Sequence, residues 1–503
     1  MASTDPQPVS QLPAAPGQRL AKGSLTTLDA VAISISILAP GMAMLLNVPG
    51  VALIAGGSTP LAFLLGGVAC LALAFVVVGF TRRMASAGYA YTYASRSLGK
   101  PAGFMAGWLY AFGLICFVPM TMAGVAYLAT DLLHLSINWW FPFFIVGMAL
   151  LVVLSIVRIK VTTRLQLVVG GLTVLVILIV NIVTTAKGGA HGNTLAPFTF
   201  GHTVKGGFSG VFYGIILGIT SYIGFETAAD FGEETAKPRK AIPIAVIASV
   251  GFAIVFYLWT TYSMAIGFGV DNGTKFGSDS FALKTIATLF VGGPLGTLVE
   301  IGALLSAFFV CVGCATAGTR TLYAMGREGV LSSWLGKTHP KFQTPANATV
   351  TVAVVSTVLA AIVGFGLGTD DLGGQPTTVY YFFATLGTLA VIVVYIGLLV
   401  GGAVFFKRTH AKYNIVAHLL VPAAGVILFA AALYGSIYPT PPKPLNATPY
   451  ITLIWIVVGL IVVFTLKARR PEAVERIGSM LGEEGALDDD EAAEPVVAIP
   501  RVT

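Results

Sequence analysis

The chain has 503 residues, 56% of them hydrophobic and only 10% charged, with a mean hydropathy of +0.86. Soluble domains carry roughly 25% charged residues, and 29 Lys/Arg with 22 Asp/Glu are too few to clothe several water-facing domains of this total size. The composition excludes disordered, collagenous and coiled-coil proteins and leaves an all-α polytopic membrane protein. The net charge of +7 points in this setting to membrane topology and not to a nucleic acid partner.

A membrane-crossing helix needs about 20 mostly apolar residues. In chain order such segments lie near 27–48, 58–80, 103–130, 138–157, 165–185 and 208–230. Six more follow near 243–268, 295–323, 346–367, 378–406, 415–437 and 449–467, which predicts twelve transmembrane helices. Residues 1–24 are polar and Pro/Gln-rich with no short apolar core, so no cleavable signal peptide is expected there. Residues 25–470 form the apolar core, and residues 471–503 form a polar tail with an acidic run, Asp488–Glu491. Both ends read as disordered cytoplasmic segments. With the N-terminus in the cytoplasm, only Lys187, Lys205, Lys275, Lys284 and Lys443 of the 29 Lys/Arg fall outside, the asymmetry expected of that orientation.

Helix breakers fall at two particular places. Span one contains Ala39-Pro40-Gly41 at mid-membrane, and span six contains Gly214, Gly218 and Gly224 around the polar Thr220-Ser221-Tyr222. Proline removes a backbone donor and glycine weakens a helix, so an opened backbone is expected at both. Such backbone survives at membrane depth only where it is buried or lines a cavity. Interruptions five spans apart point to an inverted-repeat carrier, with spans one to five and six to ten as the repeats and two helices added. A pair of ordinary kinks in a bundle is the alternative reading.

Four stretches carry a family resemblance. Span one reads Ser34-Ile35-Ser36-Ile37-Leu38-Ala39-Pro40-Gly41. Span six continues Ser221-Tyr222-Ile223-Gly224-Phe225-Glu226, then Gly232-Glu233-Glu234-Thr235-Ala236-Lys237-Pro238-Arg239-Lys240-Ala241-Ile242-Pro243. Met84-Ala85-Ser86-Ala87-Gly88-Tyr89-Ala90-Tyr91 follows span two, and Arg320-Thr321-Leu322-Tyr323-Ala324-Met325-Gly326-Arg327-Glu328-Gly329 follows span eight. The chain resembles the amino acid–polyamine–organocation superfamily of secondary transporters over roughly residues 25–470. The resemblance implies two inverted five-helix repeats with broken helices one and six, alternating access, and an amino acid or amine as substrate. It places the substrate's charged groups on the opened backbones, at Ile37, Leu38, Ala39, Pro40 and Gly41 and at Thr220, Ser221, Tyr222 and Ile223. Exposed N–H groups at a half-helix start suit a carboxylate, and orphan carbonyls suit an ammonium.

Among ionisable residues, Glu226 is the leading candidate for coupling, as a proton carrier or as a pin across the opened helix. Glu300 is expected at the external interface, and Glu233 and Glu234 with nearby cations at the cytoplasmic end. Phe225, Tyr222, Tyr380, Tyr381 and Phe383 are candidates for an aromatic gate. Trp139, Trp140 and Phe141 fit an interfacial belt. Span five carries no lysine between Leu165 and Val183, where some relatives replace a sodium ion with one. A sodium site would draw on Ser306 and Thr316 of span eight, but Cys311 and Cys314 lie between them and thiols are poor ligands for a hard cation. Proton coupling or exchange is therefore favoured over sodium.

Cys70, Cys116, Cys311 and Cys314 all sit in apolar runs and read as packing residues rather than disulfide or metal ligands. No Walker A motif occurs, since Gly329 and Gly336-Lys337-Thr338 are separated by six residues rather than four. Neither ATP nor another cofactor is expected, and no metal or catalytic motif is evident. The resulting expectation is a plasma membrane carrier of a neutral amino acid. A cationic amino acid or polyamine carrier, a channel and an amino acid sensor are the alternatives.

Overall fold

The computed structural model describes residues 26–84, 89–157, 163–231, 235, 237–327, 331–367, 374–409 and 413–469. The predicted tails, the loop at 85–88 and the pair Glu233–Glu234 lie outside these residues. Every regular element among the described residues is helical.

The first span starts with a capping box: Thr26 Oγ1 accepts from the Asp29 N–H, and Asp29 Oδ2 accepts from the Thr26 N–H at 2.9 Å. Helix α1 (Thr27–Leu38) stops at Ala39, whose φ of 46° is left-handed. Pro40 opens the next helix, α2 (Pro40–Met42), where its missing N–H costs nothing. The chain then passes through a π-helical turn, Ala43–Asn47, into α3 (Val48–Ala55). After a tight turn at Gly56–Ser58 comes α4 (Thr59–Thr81).

Helices α5 (Tyr89–Leu98), α6 (Lys100–Leu132), α7 (Trp140–Val157) and α8 (Thr163–Ala186) complete the first half. The second half begins with α9 (Phe208–Tyr222) and a short 3-10 turn, Thr227–Phe231. It continues with α10 (Pro238–Phe268), the small helices α11 (Gly273–Ser278) and α12 (Ala282–Phe290), and α13 (Gly293–Arg327). Helices α14 (Ala346–Gly366), α15 (Gln375–Arg408), α16 (Val421–Gly435) and α17 (Thr448–Arg469) follow.

Ten of the described helical runs are long and apolar enough to cross a membrane. The difference from twelve arises at two places. The turn at Gly56–Ser58 is helical, so Thr27–Thr81 forms one 55-residue run containing both of the first two predicted spans. The interruption after Tyr222 leaves Phe208–Tyr222 at 15 residues, below a span's length. At 1.5 Å per residue, α6, α13 and α15 are each about 50 Å long, exceeding the ~30 Å hydrocarbon core and so extending beyond it or tilting.

The long helices α6 and α15 pack against one another at the centre, α13 packs on α6, and α4 lies between α9 and α10. Outer helices expose apolar rows, such as Leu453, Ile454, Val457, Ile461 and Phe464 on α17. That arrangement suits lipid, where backbone polar groups must be satisfied within helices. The protein is a multi-pass membrane protein. All four cysteines are buried and unpaired.

Candidate functional site

The two interruptions meet. Helix α9 ends at Tyr222 and the chain opens at Ile223–Glu226, with Gly224 at φ 114°. A Cβ added there would lie 2.8 Å from Ile37 Cγ2 and 3.4 Å from the Leu38 amide nitrogen, so the second break rests on the end of α1. The expected opening around Thr220-Ser221-Tyr222 is displaced: these three residues are still helical. Gly214 and Gly218 permit packing on neighbouring helices, Gly218 facing Ala62 and Phe63 of α4.

A cavity with about 510 Å³ of unfilled space, open mouth included, lies beside the junction. Its polar wall comes from Asn47, Thr121, Thr220, Ser221 and Thr227, with Tyr110. Its apolar wall comes largely from Leu114, Phe117 and Met120 of α6 and Val310 and Cys314 of α13. Among the described residues, no charged one lines it. Of the sequence-predicted binding residues, Ile37, Leu38, Thr220, Ser221 and Ile223 border this space. Ala39, Pro40 and Gly41 are buried behind it, and a Cβ on Gly41 would meet Thr173 Cγ2 of α8 at 2.5 Å. Tyr222 turns away, its hydroxyl donating to the Phe63 carbonyl at 3.1 Å.

Side chains take up polar backbone around the breaks. The Tyr257 hydroxyl donates to the Leu38 carbonyl at 3.0 Å, and the Ala228 N–H donates to Ser34 Oγ at 3.1 Å. Thr220 and Thr388 hydroxyls are 2.7 Å apart. Asn47, fully buried, donates through Nδ2 to Ser221 Oγ at 2.8 Å and accepts from the Tyr380 hydroxyl at 2.8 Å. The Tyr381 hydroxyl donates to the Leu46 carbonyl at 2.9 Å. Asn47 was not among the residues expected from the sequence; its signal there is a lone amide in the run Leu45-Leu46-Asn47-Val48. Tyr110 gave no such signal.

Glu226 is fully buried just outside the cavity lining. Its Oε1 accepts from the Tyr395 hydroxyl at 2.5 Å and the Tyr110 hydroxyl at 3.2 Å, and its Oε2 accepts from the Gly224 N–H at 3.0 Å. One carboxyl thus spans the break and ties it to α6 and α15. Phe225 is buried with its ring centroid 6.5 Å from that of Tyr395. Tyr380 and Tyr381 line a second, smaller cavity with Leu46, Gly124, Tyr127 and Thr377. Phe383 is buried against Phe382.

Ser306 is buried and Thr316 back-bonds to the Val312 carbonyl at 2.7 Å; neither borders the main cavity. Ten residues along one helix separate them by about 15 Å, too far to share one ion. Among the described residues no group of three or more His, Cys, Asp or Glu could hold a metal.

Two expectations are corrected by burial. Glu300 is not exposed at the end of its span: its side chain is buried, and Oε2 lies 2.7 Å from Lys284 Nζ, which also pairs with Asp131. Burial disfavours the Lys284 charge, but the two carboxylates outweigh it and hold the ammonium above the ordinary lysine range. Trp140 is not part of a belt. It is buried and donates to Gln375 Oε1 at 2.8 Å, while Trp139 alone is exposed.

A model of the amino acid permease family matches residues 25–462, nearly the whole described chain. The chain belongs to this family. It is thereby a member of the amino acid–polyamine–organocation superfamily. This permease is 25% identical over 476 residues to the branched-chain amino acid permease BcaP of Lactococcus lactis, covering 89% of this chain and 95% of the relative. It is 25% identical over 433 residues to the methylthioribose transporter of Bacillus subtilis, covering 82% and 86% respectively. Identity to the low-affinity putrescine importer PlaP of Escherichia coli is 27% over 312 residues, covering 60% of this chain and 66% of the relative.

Proposed function

We propose that this permease carries a neutral amino acid with an apolar side chain across the plasma membrane by alternating access. The reading includes twelve membrane-spanning helices, two inverted five-helix repeats with two added helices, and cytoplasmic termini. The observation that carries it is the contact of two left-handed backbone breaks, at Ala39 and Gly224, beside a cavity with no charged lining residue among the described ones. Backbone groups at such breaks can receive a carboxylate and an ammonium, while Leu114, Phe117, Met120 and Val310 suit an aliphatic or thioether side chain. A diamine or a lysine side chain would need a carboxylate in the lining, and Glu226 lies behind Tyr110 with its oxygens already engaged. The branched-chain permease relative supports the neutral reading, and the putrescine importer keeps an amine as the alternative.

Sodium coupling has little support, because Ser306 and Thr316 lie about 15 Å apart along one helix. Glu226 remains the residue for proton coupling. The Asn47–Tyr380 and Leu46–Tyr381 pairs lie between the main and second cavities, as a closed outer gate would. The deciding experiment is uptake of labelled amino acids and amines into proteoliposomes under a proton gradient, then under a sodium gradient. Saturable, trans-stimulated uptake of leucine-like substrates with protons supports the proposal. Accumulation of amines alone, sodium dependence, or unsaturable flux overturns the corresponding part.

A further inference from the structure

The segment after Pro40 contains a rare backbone feature. Ala43–Asn47 forms a π-helical turn inside an otherwise α-helical stretch, and such turns concentrate at functional sites. At its end Asn47 reaches three elements at once: its own helix, Ser221 at the end of α9, and Tyr380 on α15. Main and second cavities lie on either side of it, Asn47 and Ser221 bordering the first and Tyr380 the second. A side-chain amide donates and accepts from one short planar group without carrying charge. Leucine of similar size does neither, and aspartate only accepts.

We infer that Asn47 is the positioning residue that couples occupancy of the main cavity to the seal beneath the second one. This rests on the main cavity being the substrate site. A substrate carboxylate or ammonium arriving at Ser221 engages the hydroxyl that Asn47 already holds. Any shift of the amide is then transmitted to the Tyr380 hydroxyl 2.8 Å away on its other side. The polar end of the site and its seal are set by one side chain, so binding and closure cannot change independently.

Cys314, which borders the main cavity, is a native reporter of which face is open. The full-length protein in vesicles of each sidedness is treated with a membrane-impermeant thiol reagent, with Cys314→Ala as the blank. The wild type is expected to be modified from one face only and protected from the face carrying Tyr380 and Thr377. Asn47→Leu is expected to allow modification from both faces and to raise the KM for uptake about ten-fold, the worth of one buried hydrogen bond. Ser221→Ala should raise KM without opening the seal, and Tyr380→Phe should open the seal with a smaller change in KM. The double variant Asn47→Leu/Tyr380→Phe should be no leakier than Asn47→Leu alone.

Wild-type labelling and KM in Asn47→Leu, or additive effects in the double variant, would overturn the inference. If Asn47→Leu does not fold, the split between Ser221→Ala and Tyr380→Phe decides, and equal effects of both on KM and labelling count against it. The labelling needs no substrate, so absence of amino acid uptake would remove the proposed function while the seal is still tested.

Discussion

Gly224→Ala is the sharpest perturbation of the site. At φ 114° an L-residue is strained by about 1–3 kcal/mol. The added Cβ would also meet Ile37 Cγ2 at 2.8 Å and, less yielding, the Ile37 carbonyl carbon at 3.3 Å. The Ile37 methyl can rotate away, but α1 backbone must shift by a few tenths of an ångström, and overpacking of this kind costs about 1–3 kcal/mol. Together the substitution should cost about 2–6 kcal/mol, concentrated where the two breaks touch. Because Gly224 also donates to Glu226 Oε2, the shift pulls on the carboxyl that binds α6 and α15. Substrate affinity, read by equilibrium binding in detergent, is expected to fall at least ten-fold, with a lowered unfolding temperature. Gly171→Ala is the control: it meets nothing within 4 Å, lies on α8, and should be neutral or slightly stabilising. Wild-type affinity and stability in Gly224→Ala would refute the claim that contact between the breaks shapes the site.

Glu226→Gln should abolish accumulation driven by a proton gradient while leaving exchange intact; retained accumulation would leave Glu226 only its bridging role. Glu226→Leu leaves two tyrosine hydroxyls and the Gly224 N–H without their acceptor, each worth about 1–3 kcal/mol, and should markedly lower the yield of folded protein. Lys284→Met strands the buried Glu300 carboxylate and should destabilise by about 3 kcal/mol in thermal unfolding, with partial recovery in Lys284→Met/Glu300→Gln. Because the Lys284 pKa is raised on folding, its contribution is complete below the ordinary lysine value of about 10.4 and is lost only as pH climbs through the higher folded value. Titration of this lysine should therefore leave the unfolding temperature unchanged around neutral pH, and the unfolding temperature should fall at strongly alkaline pH in the wild type more than in Lys284→Met. Gly41→Ala should impair uptake through its clash with Thr173 Cγ2, and Thr173→Ser, which removes that methyl, should restore part of it; absence of rescue would reassign the defect to the cavity itself.

Helical class, membrane insertion and the first break were legible because each depends on local chemistry. Hydropathy over about 20 residues reports lipid exposure, and Ala39-Pro40-Gly41 can hardly continue a helix undisturbed. The second break was harder to place. Three glycines occur in that stretch, and glycine serves equally for close packing, as at Gly218 against α4, or for a left-handed turn, as at Gly224. Tertiary contacts made the choice. Helical phase separated Trp139 from Trp140: adjacent in sequence, one faces outward and the other is packed among Phe141, Phe144 and Phe365. Glu300 looked interfacial because its partners, Asp131 and Lys284, are distant in sequence. Asn47 was overlooked for a similar reason, since both its partners are more than 170 positions away.

The way the breaks are satisfied bears on how a carrier can move. Freed or bent backbone in the first span is held mainly by tyrosine hydroxyls, Tyr257 on the Leu38 carbonyl and Tyr381 on the Leu46 carbonyl, with Tyr380 on the Asn47 side chain. Each is a neutral hydrogen bond with a net worth of about 0.5–1.5 kcal/mol, in contrast to the ion-paired Asp131–Lys284–Glu300 cluster that fastens α12 to α6 and α13. A segment fastened by a few neutral hydrogen bonds can exchange them for bonds to substrate or water at nearly balanced free energy. One fastened by buried charges cannot. A ligand shifts such an equilibrium only by its differential affinity for the two states. If the polar groups of a substrate replace two or three of these tyrosine bonds, the difference is of the right size to drive the change without trapping it.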